Sequence, residues 1–269
     1  MSNIKVTIIQ TQLFWEQPAQ NRKMLEEKIR SVETHSEIVV LPEMFTTGFT
    51  MNPAKVAEPP KGDTFQWMKN LAKEMDMVIT GSFITREGDK YYNRLLWMQP
   101  DGVYHQYDKN HLFSFAGENK YYTPGNEKVI VDYKGWKILL MICYDLRFPV
   151  WTKNNYSHEK GFDYDCILCV ANWPGSRSHP WRVLLMARAI ENQCFVIGVN
   201  RIGKDGNGIE HSGDSALISP LGENFSNIMP FQEVTETIPM PRCQLDDFRG
   251  KFKVALDWDQ FNLNSLSKE

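Results

Sequence analysis

Four side chains in this sequence pair a reactive type with a telling position. Cys143 follows the apolar run Ile-Leu-Leu-Met-Ile and precedes Tyr-Asp-Leu-Arg-Phe-Pro. A cysteine at the end of a buried strand, beside a turn into polar residues, can keep its sulfur accessible in a cleft. A following helix or a nearby cation would lower its pKa and make it a nucleophile. Glu43 comes just after Val39-Val40-Leu41-Pro42. Apolar neighbours there would raise its pKa toward neutrality, which suits a proton shuttle. Lys109, in Tyr107-Asp108-Lys109-Asn110-His111-Leu112, ends another strand and could stabilise a thiolate and a developing oxyanion. Glu118 lies in the loop from Gly117 to Gly125. Taken singly, each has an ordinary alternative: an inert buried thiol, a solvated acid, a surface lysine.

The elements that must carry these groups follow from hydrophobic periodicity. Strands are expected over residues 4–10, 37–41 and 77–83, the last broken by Gly81. Residues 19–33 and 63–75 have the spacing of amphipathic helices. Residues 91–99 and 102–107 form a hairpin around Pro-Asp-Gly, and 128–133 and 136–142 another around Lys134-Gly135. A strand at 166–171, a helix at 181–192, a strand at 195–200 and a short strand at 215–219 follow. The last 30 or so residues show no clear period. So many hairpins argue against a purely parallel sheet and for mixed sheets stacked face to face under helices. With no linker in view, residues 1–269 are expected to form one domain.

Composition excludes several classes. A net charge of −3 without a basic block gives nucleic acid no footprint. No apolar run approaches the about 18 residues of a membrane span, and the N-terminus lacks the features of a secretory signal, so the cytoplasm is expected. The other cysteines, Cys166, Cys169, Cys194 and Cys243, are read as inert thiols outside any disulfide framework. The six histidines show no metal-ligand spacing, and Cys166-x-x-Cys169 stands alone on a buried strand, so no metal or cofactor is expected.

LPEMF at 41–45, YDKNHLF at 107–113 and CYDLRFP at 143–149 closely resemble the three signature segments of the nitrilase superfamily of carbon–nitrogen hydrolases. ARAIENQ at 187–193 and HSGDSALISPLGE at 211–223 are also similar to family segments. The resemblance implies Cys143 as nucleophile, Glu43 as general base and acid, and Lys109 as oxyanion stabiliser. Through the Glu-x5-Pro-Gly pattern it implies Glu118 as a second glutamate that positions groups around the site. The implied fold is α/β, a four-layer α-β-β-α sandwich of two mixed sheets. Such proteins usually pair through a helical face, so a homodimer or higher homo-oligomer is expected, with residues of about 245–269 extending into the contact.

CYDLRFPVW, with ANWP at 171–174 and VNRIGKDGNG at 199–208, is similar to the omega-amidase branch. That implies hydrolysis of the terminal amide of short dicarboxylate mono-amides, 2-oxoglutaramate and 2-oxosuccinamate, through a cysteine thioester. The Tyr144 backbone N–H would share the oxyanion with Lys109. A remote substrate carboxylate needs a cation, and Arg147, Arg177, Arg182 and Arg201 are candidates. Arg147 is nearest the nucleophile in sequence, with an ion pair locking its turn as the alternative. Trp173, Tyr121, Phe45 and Phe49 could wall a small pocket, the alternative being ordinary core. Hydrolysis of aliphatic amides, nitriles or N-carbamoyl amides, and a non-catalytic binding role, remain open.

Overall fold

The computed structural model describes residues 3–260. Its first half builds one sheet and the helices that cover it. β1 (Ile4–Gln10) leads to α1 (Pro18–Arg30), β2 (Ile38–Val40), the single turn α2 (Pro53–Val56) and α3 (Asp63–Met75). β3 (Val78–Glu87), β4 (Lys90–Met98) and β5 (Tyr104–Asp108) then run as a meander. The second half contains β6 (Ile130–Tyr133), β7 (Trp136–Ile142), α4 (Pro149–Thr152) and the small pair β8 (Tyr156–Ser157) and β9 (Gly161–Phe162). After these come β10 (Cys166–Ala171), α5 (Ser178–Asn192), β11 (Phe195–Asn200) and the hairpin of β12 (Ile202–Lys204) and β13 (Glu210–Ser212). β14 (Ala216–Ile218), β15 (Val234–Met240) and α6 (Arg242–Lys251) complete it.

One sheet has the order β15-β1-β2-β3-β4-β5 and the other β14-β11-β10-β7-β6. Each mixes parallel pairs (β1–β2–β3; β7–β10–β11) with antiparallel edges. Alternation of side chains along the strands sorts residues into layers. Ile4, Val6 and Ile8 of β1 face Ile138, Leu140 and Ile142 of β7 in a shared inter-sheet core. Ile9, Val39, Ile79 and Leu96 point the other way, onto Leu25 and Ile29 of α1 and Met68 and Leu71 of α3. On the far side Met141, Ile167, Cys169 and Val196 meet Trp181, Leu185 and Ala189 of α5. The result is the expected α-β-β-α order. A one-residue slip in any central strand would exchange its two faces, which fixes register.

The departures from expectation have physical causes. α5 begins at Ser178, ahead of residue 181, because Pro180 sits in the first turn, where its missing N–H has no intrahelical partner to lose. Gly81 does not break β3, which continues to Glu87. A Cβ at Gly81 would lie 2.8 Å from Leu41 Cβ and 2.9 Å from Phe45 Cδ1. The glycine therefore lets the 41–45 segment lie directly on the sheet. α6 lies in the last 30 residues, where no period is visible, and buries only Arg242 and Leu245; β15, a half-exposed edge strand, falls just before them, where no element is expected. α6 is held to the body by Arg242 and Arg249, which both pair with Asp165, at 2.8 and 2.6 Å. Of the segment 245–269 expected in an oligomer contact, residues 261–269 lie outside the described residues. No helix among the described residues is long and apolar enough to cross a membrane.

Candidate active site

Three segments leave the first sheet at neighbouring points and bury an ionic cluster. After β2, Leu41 N–H bonds Thr80 O (2.8 Å), Phe45 N–H bonds Ser82 O (2.9 Å), and Met44 takes a left-handed φ of 42°. This tight arch turns Glu43 inward. Its Oε1 accepts Asn93 Nδ2 at 2.7 Å and Lys109 Nζ at 2.9 Å, and its Oε2 accepts the Asn172 N–H at 2.7 Å. The Asn172 side-chain amide bonds the Glu43 carbonyl. Lys109, just past β5, also donates to Glu118 Oε1 and Oε2 at 3.1 and 3.0 Å. Glu118 opens a 3-10 turn and also accepts the Phe113 N–H. The three side chains are 0, 1 and 0% exposed in the order Glu43, Lys109, Glu118.

The surroundings of Glu43 are thus polar and cationic, where the sequence led us to expect apolar neighbours. Burial alone would strip the proton from Lys109, but the charges of Glu118 and Glu43 outweigh it and hold the ammonium well above its ordinary value. Glu118 is pushed up by burial and by Glu43, against the pull of Lys109.

The second sheet contributes the thiol. Cys143 ends β7 with a φ of 46°, in the left-handed region that costs a non-glycine residue about 1–2 kcal/mol, and starts a 3-10 turn to Arg147. The chain thereby breaks away from the strand at the sulfur, as strained nucleophile turns do in other hydrolase folds. Cys143 is half-buried, unlike the sealed Cys166, Cys169 and Cys194; Cys243 is exposed. Cys143 lines the same cavity as Glu43 and Lys109, close enough for both charges to act on it. Burial raises its pKa well above the ordinary value, the Glu43 charge adds to this, and Lys109 opposes it. The expected lowering by a cation is therefore outweighed. Burial and the Glu43 charge together favour the thiol over the thiolate.

Glu43, Lys109 and Cys143 line one cavity of about 310 Å³; Glu118 reaches it only through Lys109. Among the residues expected to bind substrate, Tyr144, Trp173 and Arg147 line this cavity. Tyr121 does not: it is 49% exposed, while its neighbour Tyr122 is buried and bonds Thr50 O at 2.6 Å. Phe49 lines the cavity, with its ring 5.1 Å from Lys109 Nζ, whereas Phe45 is core.

The four arginines separate clearly. Arg147 lies over the Trp173 ring (4.8 Å) and Arg177 over Phe113 (5.4 Å), both in the cavity wall. Among the described residues neither pairs with a carboxylate. The ion pair considered for Arg147 is absent there, and the turn is tied instead by Arg188, which bonds Leu146 O at 2.7 Å. Arg182 faces Asp214 and is half-exposed. Arg201 is buried among the carbonyls of Ile202 and Lys204. Another part of the wall is the β12–β13 hairpin, carrying Asp205, Ile209 and His211. Its tip lies flat on an indole: a Cβ at Gly206 would stand 2.3 Å from Trp15.

Sequence reasoning missed Asn93 and Asn172, which dock the base, and Asp145, which is buried beneath the thiol turn. Asn93 stands between Tyr92 and Arg94 in the polar half of β4, so the sequence carried no signal for it. Among the described residues no three His, Cys, Asp or Glu side chains gather as a metal-ligand set.

A buried carboxylate–ammonium pair and a half-buried thiol thus line one cavity. The chain belongs to the carbon–nitrogen hydrolase family, whose model matches residues 5–248. It is 40% identical over 263 residues to the omega-amidase YafV of Escherichia coli K12, covering 98% of this chain and 100% of that one. It is 31% identical over 260 residues to the 2-oxoglutaramate amidase of Bacillus subtilis (91% and 97% covered). Its fold superposes with a TM-score of 0.95 on XC1258 of Xanthomonas campestris, a superfamily protein with an arsenic adduct in its active site (41% identity, 98% and 100% covered).

Proposed function

We propose that this carbon–nitrogen hydrolase is an omega-amidase. It would convert a short dicarboxylate mono-amide, of the 2-oxoglutaramate and 2-oxosuccinamate class, to the 2-oxoacid and ammonia. The observation that carries this reading is the pairing of two features in one cavity. A thiol shares the cavity with a buried carboxylate–ammonium pair, and two guanidinium groups that have no carboxylate partner among the described residues stand in the same wall. The first feature supports acyl transfer, and the second supports a substrate with a free carboxylate distant from its amide.

Glu43 takes the Cys143 proton as sulfur attacks the amide carbon, because the resting group is a thiol. Lys109 Nζ and the Tyr144 N–H hold the oxyanion. The proton on Glu43 passes to nitrogen, the C–N bond breaks, ammonia leaves and a thioester remains. Glu43 then removes a proton from water, hydroxide adds to the thioester carbon, and collapse expels sulfur, which recovers the proton from Glu43. Glu118 keeps Lys109 charged and in place through both steps. Arg147, with Trp173 behind it, holds the far carboxylate.

The test is ammonia release from a panel: both 2-oxo mono-amides, glutamine, asparagine, a simple aliphatic amide, a nitrile and an N-carbamoyl amino acid. The 2-oxo mono-amides should give the highest kcat/KM. A preference for the uncharged amide or the nitrile would overturn the substrate assignment.

A further inference from the structure

A further buried carboxylate lies under the thiol turn, outside the cavity and outside the Glu43–Lys109–Glu118 cluster. We propose that Asp145 is a positioning residue that sets Cys143 relative to Lys109 by tying the turn of one to the turn of the other.

Asp145 is 0% exposed. Its Oδ2 accepts the Ile142 N–H at 3.0 Å and the Tyr107 hydroxyl at 2.7 Å. Its Oδ1 accepts the His111 N–H at 3.0 Å and His111 Nδ1–H at 2.8 Å. Ile142 immediately precedes Cys143, while Tyr107 and His111 stand two residues either side of Lys109. A single carboxylate therefore spans both sheets at the point where the thiol and the ammonium must meet. All four partners are donors, and a buried carboxylate needs about that many to offset lost hydration.

The partners are themselves held. The His111 ring stacks on Phe148 at 3.8 Å and 8° and meets Trp151 edge-on at 5.6 Å. The Tyr107 oxygen accepts the Asn110 N–H at 3.2 Å. The strained φ of Cys143 follows directly on Ile142, whose N–H Asp145 fixes, so the anchor sits where the chain would relax. Asp145 does not line the cavity and touches no reacting atom; its effect passes through backbone geometry.

The inference rests on Cys143 being the nucleophile, and one experiment separates the two. In the full-length protein, Asp145→Asn turns two acceptor sites into an N–H₂ group facing donors. The expected result is a kcat lower by about 10²-fold with KM changed by less than about threefold, as for a misplacement of about 1 Å. Alkylation of Cys143 by iodoacetamide should slow in parallel, with exposed Cys243 as internal reference. Tyr107→Phe and His111→Ala keep the carboxylate and should each lower kcat by about tenfold. Tyr107→Phe should add little on top of Asp145→Asn, since both act through one network. An unchanged kcat per folded molecule and unchanged alkylation ratio, with only a lower melting temperature, would overturn the proposal. If Asp145→Asn does not fold, the Tyr107 and His111 variants decide on the same two readouts. Loss of the nucleophile assignment would show elsewhere, as turnover retained in Cys143→Ala.

Discussion

The two sheets bring unlike things to the cavity they share. The first delivers Glu43, Lys109 and Glu118, all sealed from solvent and locked to one another by bonds of 2.9 to 3.1 Å. The second delivers Cys143, half-exposed and carried on a strained turn, with Tyr144 and Arg147 beside it in the wall. One side holds charge in a fixed arrangement and the other presents the thiol proposed as nucleophile. The difference teaches that stability and reactivity are separable here: the first side contributes to both, the second mainly to reactivity.

The strongest test of that contrast is Lys109→Met. It leaves two buried carboxylates facing each other without the ammonium between them, so activity should vanish and unfolding free energy should drop by about 3–5 kcal/mol. Chemical denaturation and ammonia release measure the two losses; a variant as stable as wild type would erase the distinction. Cys143→Ala should lose at least about 10³-fold in turnover while its stability stays within about 1 kcal/mol of wild type. Retained activity there would remove the thiol from the chemistry.

Arg147→Met sharpens the comparison within the second sheet. For a 2-oxo mono-amide, kcat/KM should fall by about 10- to 150-fold, the worth of a charge-assisted hydrogen bond of about 1.5–3 kcal/mol. A simple aliphatic amide should be hydrolysed as before, and an equal fall for both would deny Arg147 its selective role. His211 gives the pH arm. Burial first, then the Arg201 charge, lower its pKa from 6.5 to about 4. The unfolded chain therefore takes up the proton first as pH falls, and stability is lost between about pH 6.5 and about pH 4. At pH 5 the loss from this group is about 2 kcal/mol, and His211→Asn should lack it. Melting curves at pH 7 and pH 5 decide, and identical drops in both proteins would deny the coupling. Smallest of all, Cys143→Gly should unfold about 0.5–1 kcal/mol later than Cys143→Ala, because glycine tolerates the left-handed turn.

The layers were legible because the central strands are apolar on both faces and the helices covering them are amphipathic. Glu43, Lys109 and Cys143 were legible as polar residues at the ends of such runs, inside the motifs LPEMF, YDKNHLF and CYDLRFP. What escaped was direction. Tyr121 and Tyr122 are adjacent at the end of a 3-10 turn, where one step swings a side chain from solvent to core, and sequence does not say which faces in. Four arginines carry the same charge, yet only two face the cavity, because which backbone carbonyls surround Arg201 is a tertiary fact. The environment of Glu43 was misread for the same reason: its neighbours in sequence are apolar, but its neighbours in space, Asn93, Lys109 and Asn172, come from three other segments.

The flat seating of Gly206 on Trp15 has a consequence for redesign. No side chain fits between that hairpin tip and the indole, and the hairpin presents Asp205, Asn207 and Ile209 to the cavity. Admitting longer amides would then mean trimming Ile209 or Phe49, not loosening the tip.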